Sequence, residues 1–253
     1  MKLFVCQTYE DMSRQAAAYV SEQLTRKPDS VLGLATGSSP VGLYRELVAA
    51  YQRGVLSFRD VTSVNLDEYC GLAPDDEQSY AFFMHHHLFD QVDILPENIH
   101  LPDGTNTDAV AETARYDALI ASLGGIDLQL LGIGVDGHIG FNEADDAFST
   151  GTRRVALADS TLAANARVFA SPDEVPRYAY SMGCGTIIAA DRILMLASGR
   201  AKAAILEKAL FGPVTPRVPA SLLQLVSHKV TVFCDAEAGA LLVANHSHKV
   251  ICL

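Results

Sequence analysis

The chain has 253 residues, of which 49% are hydrophobic and 19% are charged, so it can bury a substantial core in one or two domains. Its formal net charge of −11 argues against a surface that binds nucleic acid. The same charge repels anions, so an anionic substrate would need a local cluster of basic groups. No stretch reaches the roughly 18 apolar residues that a membrane-spanning helix requires.

The five cysteines are odd in number, widely spaced and never arranged as C-x-x-C. This usage is typical of reduced thiols rather than disulfides or a zinc site. The apolar run at residues 1–5 is too short for a signal peptide. We therefore expect a cytoplasmic protein.

In chain order, short apolar runs alternate with helical patterns. Strands are predicted at 3–6, 31–35, 61–66, 128–133, 192–196 and 230–234. Helices are predicted at 11–25, 41–52, 79–89, 108–123, 201–210 and 236–245. This alternation predicts an α/β fold with a mainly parallel sheet and helices on both faces, in a single compact domain spanning 1–253. The less regular segment at about 157–177 is either a lid or an ordinary connection with one helix, at 160–169.

A Gly/Ser/Thr turn follows the second predicted strand, at Thr36, Gly37, Ser38 and Ser39, with Pro40 after it. Serine before a proline is typical of a helix start, because serine caps the helix and proline suits its first position. The free N–H groups and the dipole of such a helix can hold a phosphate. A plain helix cap is the alternative interpretation.

Two carboxylates, Asp67 and Glu68, end the third predicted strand. Adjacent side chains of an extended segment point to opposite sides. We therefore expect one carboxylate to face a pocket and the other to make structural hydrogen bonds. A pair of surface turn residues is the alternative.

Asp136, His138 and Glu143 lie in a glycine-rich loop that directly follows the strand at 128–133. Ligands bind at the carboxyl ends of strands in open α/β sheets, so this loop is a candidate site. Asp136 or Glu143 could orient the imidazole and fix its tautomer. A metal site is the alternative, but no second histidine lies at ligand spacing in the loop, so we expect no metal.

Lys202 lies in the first turn of the helix that follows the strand at 192–196. A cation is normally unfavourable at a helix N-terminus, so an anion bound beside it would explain the lysine. A solvated lysine is the alternative. Arg167, in the irregular segment, could close over the same anion.

With these residues assembled, the chain resembles the glucosamine-6-phosphate deaminase family over nearly its full length. The resemblance is carried by the motifs at residues 34–40, 65–69, 134–143, 160–169 and 198–202. It implies a Rossmann-like α/β/α sandwich. It also implies a cofactor- and metal-independent conversion of glucosamine 6-phosphate and water to fructose 6-phosphate and ammonia, in amino-sugar catabolism.

The resemblance also implies roles for individual residues. Asp67 would move the C2 proton, and His138, oriented by Asp136 and Glu143, would assist ring opening. The phosphate would lie among a group of residues from several turns, namely Thr36, Gly37, Ser38, Ser39, Arg167 and Lys202.

Members of the family that N-acetylglucosamine 6-phosphate activates carry an Arg-x-Lys element, of which this chain has Arg153 but Val155 in place of the lysine. We therefore expect no such activation, and whether the chain forms a homo-oligomer is left open. Two alternatives to the deaminase remain. One is a hydrolase similar to 6-phosphogluconolactonase, and the other is a non-catalytic sugar-phosphate sensor. The presence of both Asp67 and His138 favours an enzyme over a sensor.

Overall fold

The computed structural model describes residues 1–158, 162, 169 and 175–253. Arg167, the predicted helix at 160–169 and much of the segment at 157–177 lie outside these residues. The described strands are β1 (Lys2–Cys6), β2 (Val31–Leu34), β3 (Thr62–Asn65), β4 (Asp67–Tyr69), β5 (Ile99–His100), β6 (Leu128–Leu131), β7 (Arg153–Ala156), β8 (Tyr178–Ser181), β9 (Arg192–Ala197), β10 (Val230–Asp235) and β11 (Val250–Cys252).

Helices flank the strands, and most begin close to the predicted positions. They are α1 (Tyr9–Arg26), α2 (Ser38–Gln52), α3 (Tyr80–His87), α4 (Ala109–Ser122), α5 (Cys184–Ala189), α6 (Ala203–Phe211) and α7 (Ala240–His246). Short 3-10 segments occur at Phe89–Gln91, Pro96–Asn98, Arg200–Lys202, Pro219–Lys229 and Ser247–Lys249. None of the helices in the described ranges is long and apolar enough to cross a membrane.

Eight strands form one sheet in the order β11-β1-β10-β9-β6-β2-β3-β5, and every neighbouring pair is parallel. All six predicted strands lie in this sheet. The prediction of a single-domain, Rossmann-like α/β/α sandwich with a mainly parallel sheet is confirmed. The four central strands, β10, β9, β6 and β2, carry mostly buried apolar side chains, as expected of a parallel sheet that is covered on both faces.

A second sheet, of three antiparallel strands in the order β4-β8-β7, was not predicted. The chain leaves the main sheet at Leu66, whose N–H donates to Leu34 O and whose carbonyl accepts from Met182 N at 2.7 Å. The predicted strand at 61–66 therefore ends at Asn65, and Asp67–Tyr69 pairs with β8 instead. This bend turns Asp67 and Glu68 out of the main sheet.

Four neighbouring strands, β9, β6, β2 and β3, are the ones whose carboxyl ends carry the predicted site. In the sheet, β3 and β5 lie on one side of β2, whereas β6 and β9 lie on the other side of β2. A reversal of strand order of this kind opens a crevice at the carboxyl edge of an α/β sheet. The topology thus brings the four predicted turns to one crevice.

Candidate active site

A cleft of about 750 Å³ lies at this crevice. Residues from all four strand ends line it. The predicted site residues among them are Thr36, Gly37, Ser38, Ser39, Asp67, His138 and Lys202. Asp136 and Glu143 are not part of the described lining. The structure therefore brings most of the predicted side chains to one cleft.

The turn between β2 and α2 is made by Gly37, whose φ of 93° lies in the left-handed region that favours glycine. Helix α2 begins at Ser38, so Pro40 is its third residue rather than its first. No side chain among the described residues caps this helix, and the prediction of a serine cap is wrong. The hydroxyls of Ser38 and Ser39 are therefore not used up as caps and remain available beside the free N–H groups of the first turn.

Asp235 braces the turn that carries Lys202. Its carboxylate accepts hydrogen bonds from Ser198 Oγ at 2.5 Å, from Gly199 N at 3.0 Å and from Ala238 N at 2.8 Å. Gly199 adopts a φ of 88°, as Gly37 does in the turn after β2. The turn after β2 and the turn after β9 thus each contain a glycine with a left-handed φ, and residues of both turns line the cleft.

Lys202 is half-buried at the end of the 3-10 segment Arg200–Lys202. Burial lowers the pKa of its ammonium group, and the charge of Asp136 partly opposes this effect. No ion pair joins Lys202 to any carboxylate in the described part of the chain. A cation held in this way is suited to an anionic ligand.

Asp67 is 6% exposed and lines the cleft. Burial and the like charge of Glu68 raise the pKa of its carboxyl group to about 8. Within the described ranges, no hydrogen bond reaches this carboxylate, and a Cβ atom at Gly140 would lie 3.3 Å from its Oδ2. Its lone pairs are therefore directed at whatever occupies the cleft.

Glu68 has the structural role that strand alternation predicted for one of the two carboxylates. It accepts hydrogen bonds from the N–H groups of Tyr69 at 2.8 Å, Tyr80 at 2.9 Å and Ala81 at 2.8 Å. Burial raises the pKa of Glu68 to about 7, although these three bonds favour its charged form. Because Asp67 receives no comparable bonds, we assign the higher pKa of the pair to Asp67.

His138 lies against Gly134, where a side chain would collide with the imidazole ring. Its Nδ1 is 2.7 Å from Oδ1 of Asp136, although the approach lacks the alignment of a full hydrogen bond. The backbone N–H of His138 also donates to this carboxylate at 3.2 Å. These contacts lower the pKa of Asp136 to about 2, so Asp136 is a permanent negative charge beside the ring.

Glu143 occupies a different place from the other predicted catalytic residues. Its Oε2 accepts a hydrogen bond from Ala158 N at 3.1 Å, and it lines a second, smaller cleft together with Arg153 and Arg154. Whether it also orients the imidazole of His138 stays a prediction. This side-chain hydrogen bond ties the loop that carries Glu143 to Ala158, at the start of the irregular segment.

Asn142 holds the loop between His138 and Glu143. Its amide nitrogen donates to the carbonyls of Ile139 and Met182, each at 2.9 Å. Its side-chain oxygen accepts from Ser149 Oγ at 2.6 Å and from Arg153 at 2.9 Å. A fully bonded, buried amide of this kind fixes the loop against β8.

Sequence reasoning missed three residues of the cleft and its support, namely Tyr9, Tyr80 and Asp235. Asp235 directly follows the predicted strand at 230–234, so the strand-end rule that found Asp67 would also have found it. Tyr9 and Tyr80 reach the cleft from helices, and no local pattern indicates this. Across the described residues, no three His, Cys, Asp or Glu side chains are grouped so that they could hold a metal ion.

Comparisons with known proteins agree with this geometry. The family model for glucosamine-6-phosphate isomerases/6-phosphogluconolactonase matches residues 7–232. A glucosamine-6-phosphate deaminase of Lachnoclostridium phytofermentans is 53% identical over 94% of this chain and 100% of that protein. Glucosamine-6-phosphate deaminase 2 of Bacillus subtilis is 49% identical over 94% of this chain and 96% of its own length.

Two solved structures are also similar to this chain. A monomeric glucosamine-6-phosphate deaminase is 48% identical, with a TM-score of 0.92 over 95% of this chain and 100% of that one. The 6-phosphogluconolactonase of Trypanosoma brucei shares the fold, with a TM-score of 0.76 over 96% of this chain and 99% of that one, but only 18% identity. The chain belongs to the glucosamine-6-phosphate isomerase/6-phosphogluconolactonase family.

Proposed function

We propose that this chain is a glucosamine-6-phosphate deaminase, which converts glucosamine 6-phosphate and water to fructose 6-phosphate and ammonia. The observation that carries the proposal is a single cleft in which, among the described residues, the buried Asp67 carboxyl accepts no hydrogen bond and the Lys202 ammonium makes no ion pair. Lys202 follows β9 and Asp67 follows β3, three strand spacings apart in the sheet, or about 14 Å. One sugar phosphate can therefore engage both ends of the cleft.

In the proposed first step, the pyranose ring opens. His138 moves a proton between the C1 hydroxyl and the ring oxygen, which needs a group that can both accept and donate near neutral pH. The negative charge of Asp136 beside Nδ1 stabilises the imidazolium that forms in this step. We propose that Glu143 supports the same loop geometry.

In the second step, Asp67 takes the proton from C2 of the open-chain amino aldehyde and returns it to C1, while a proton of the substrate's own C2 ammonium group passes to the C1 oxygen. The product is a ketose iminium, with the C=N bond at C2. Water adds to C2, a proton passes from the added oxygen to the nitrogen, and the C2–N bond breaks to leave the C2 ketone and ammonia. A carboxylate whose pKa is raised to about 8 is a stronger base than an exposed aspartate, which suits it to the abstraction of a carbon-bound proton.

We propose that the phosphate binds to the first turn of α2 and to Lys202, with Thr36, Gly37, Ser38 and Ser39 supplying N–H groups and hydroxyls. Arg167 belongs to the same proposed site on the strength of the family resemblance. Such remote binding positions the reacting carbons and contributes energy that does not depend on the chemical step.

We further propose that the reaction is a hydrolytic deamination in the catabolism of amino sugars such as N-acetylglucosamine, and that it takes place in the cytoplasm. Activation by N-acetylglucosamine 6-phosphate is not expected, since Val155 stands in the Arg-x-Lys position. A rate curve for glucosamine 6-phosphate that sharpens when this compound is added would contradict that expectation. Whether copies of the chain associate is left to a measurement of mass in solution.

The direct test is to incubate the protein with glucosamine 6-phosphate and to measure ammonia and fructose 6-phosphate in equal amounts. A lactonase would instead release acid from 6-phosphogluconolactone and no ammonia from the amino sugar. A sensor would bind glucosamine 6-phosphate without turnover. The Asp67 carboxyl, buried in the cleft with no hydrogen bond from the described part of the chain, favours the deaminase over the sensor.

Replacing Lys202 with alanine is expected to raise KM by about 10- to 100-fold while kcat changes little, because charge-assisted hydrogen bonds contribute about 1.5–3 kcal/mol. Steady-state kinetics with glucosamine 6-phosphate measure both constants. Lys208→Ala is the matched control, since Lys208 is exposed on α6, six positions further along the chain. An unchanged KM in Lys202→Ala would move the phosphate site elsewhere.

Replacing Asp235 with asparagine is expected to raise KM by about three- to tenfold, because one acceptor for Ser198 and Gly199 becomes a donor and the turn loosens. Ser198→Ala removes only one of these bonds, so its KM should rise less. The thermal midpoint of both variants checks that they fold. If KM rises in Ser198→Ala but not in Asp235→Asn, Asp235 does not brace the phosphate site.

A further inference from the structure

Tyr9 contacts the anion-binding turn from another helix. It is the first residue of α1, and its phenol ring lies beside the start of α2. The hydroxyl accepts a hydrogen bond from Gly42 N at 2.8 Å and lies 3.0 Å from Ser38 O and 3.3 Å from Ser39 O, to which it can donate. One side chain thus contacts both the N–H and the carbonyl groups of the first turn of α2.

These partners occupy a particular place in the helix. The carbonyl of residue 38 and the N–H of residue 42 are four residues apart, which is the spacing that a regular α-helix joins by a main-chain hydrogen bond. The Tyr9 hydroxyl lies within hydrogen-bond distance of both groups. It can therefore set the pitch and direction of the turn that carries the N–H groups and hydroxyls of Ser38 and Ser39.

The packing around Tyr9 is tight enough to hold the ring in place. A Cβ atom at Gly42 would lie 2.9 Å from Cε1 of Tyr9 and would also collide with Ser13 Oγ. Helices α1 and α2 therefore meet at a glycine that leaves room for the phenol. This close approach fixes the hydroxyl relative to the cleft.

We propose that Tyr9 is a positioning residue that holds the first turn of α2 in the geometry that binds a phosphate group. This inference rests on the proposed function, because the phosphate belongs to the sugar-phosphate substrate. Tyr9 acts through Ser38, Ser39 and Gly42 and takes no part in the proton transfers. Its loss should therefore weaken binding at the phosphate end and leave the reacting end unchanged.

The test is Tyr9→Phe, which removes the hydroxyl and keeps the ring. We expect KM for glucosamine 6-phosphate to rise about three- to tenfold, the range for the loss of hydrogen bonds of ordinary strength. We expect kcat to stay within about twofold, since uniform binding is lost. The Kd of inorganic phosphate, measured by calorimetry, should rise by the same factor as KM.

Tyr19→Phe is the matched control. Tyr19 lies on the same helix, and its hydroxyl bonds to Arg192 Nε at 3.1 Å and Thr231 Oγ1 at 3.2 Å, near the amino ends of β9 and β10 and away from the cleft. A general effect of removing a phenol hydroxyl from α1 would raise the phosphate Kd in both variants and would overturn the proposal. Supporting data would show the rise in Tyr9→Phe alone.

Two further outcomes separate this inference from the proposed function. If wild-type protein binds phosphate competitively with the substrate and Tyr9→Phe binds it equally well, Tyr9 does not position the turn, while the phosphate site stands. If wild-type protein turns over glucosamine 6-phosphate but Lys202→Ala and Tyr9→Phe both keep the wild-type KM, the phosphate binds elsewhere; the Tyr9 proposal and the proposed phosphate site then fail, while the deaminase activity stands.

Discussion

Replacing Asp67 with asparagine is expected to lower kcat by about 10²–10⁴-fold, the contribution of a positioned general base. Asparagine keeps the size and hydrogen-bonding shape of the side chain but cannot accept the C2 proton. KM should change little, since the phosphate end of the cleft is untouched. Ammonia release measured under saturating substrate gives kcat directly.

The same substitution is expected to stabilise the protein, and the effect should depend on pH. Asp67 titrates near 3.8 in the unfolded chain and at about 8 in the folded protein, because burial disfavours its charge. Between these values the unfolded chain has lost a proton that the folded protein keeps, so wild-type stability falls as pH rises. The advantage of Asp67→Asn should be absent below pH 3.8 and reach its full size above about pH 8.

Thermal melts of the two proteins at several pH values test this expectation. A variant that is inactive yet melts higher than wild type at pH 8 would separate the loss of the base from a loss of structure. Near wild-type kcat in Asp67→Asn would remove Asp67 from the mechanism. Equal melting temperatures at every pH would contradict the raised pKa of Asp67.

Activity should also follow the ionisation of Asp67, because a general base works in its charged form. The ratio kcat/KM reports the free enzyme and should rise with pH and level off above about 8, the pKa at which Asp67 is half ionised. In Asp67→Asn, the residual activity should lose this rise. A wild-type profile that is flat between pH 5 and pH 8 would contradict the assignment, taking about 8 for the pKa of Asp67.

Replacing His138 with glutamine is the second large effect that we expect, a fall in kcat of about 10²–10⁴-fold. Glutamine can donate and accept hydrogen bonds, but it cannot carry a proton between the C1 hydroxyl and the ring oxygen. Open-chain substrate forms slowly without this help, so the ring-opening step becomes limiting. Kinetics with glucosamine 6-phosphate, together with the thermal midpoint of the variant, measure the effect.

Asp136→Asn is the comparison for His138→Gln. It keeps the imidazole but removes the negative charge that lies 2.7 Å from Nδ1. We expect a fall in kcat that is clearly smaller than that of His138→Gln, since the proton carrier remains. Equal losses in both variants would indicate that the charge of Asp136, rather than the imidazole, is the essential feature.

The main sheet could be predicted from the sequence because its longer strands are mostly buried and, except for β3 with its sequence TSVN, consist mainly of apolar residues. The strands at Ile99–His100 and Val250–Cys252 were missed because two or three residues carry no periodic signal. The small sheet was missed for a different reason. β7 contains Arg153 and Arg154, and its pairing with β8 depends on a partner more than 20 residues away.

The part of the candidate site that follows directly after strands could be predicted from the sequence. Asp67, His138 and Lys202 each follow a predicted strand, and the parallel sheet brings them to one cleft. The helix start at Ser38 was misplaced because Gly37, with its left-handed φ, precedes the helix and Pro40 is compatible with its third position. The role of Tyr9 depends on how α1 packs on α2, which sequence periodicity does not specify.

A crystal structure of Asp67→Asn with glucosamine 6-phosphate bound tests the central claim most directly. We expect the phosphate to lie within hydrogen-bond distance of Lys202 Nζ and of the first turn of α2. We expect C2 of the sugar to lie beside residue 67, and O1 or O5 to lie beside His138. Phosphate bound in the smaller cleft of Arg153 and Arg154, or a sugar whose C2 is remote from residue 67, would contradict the account.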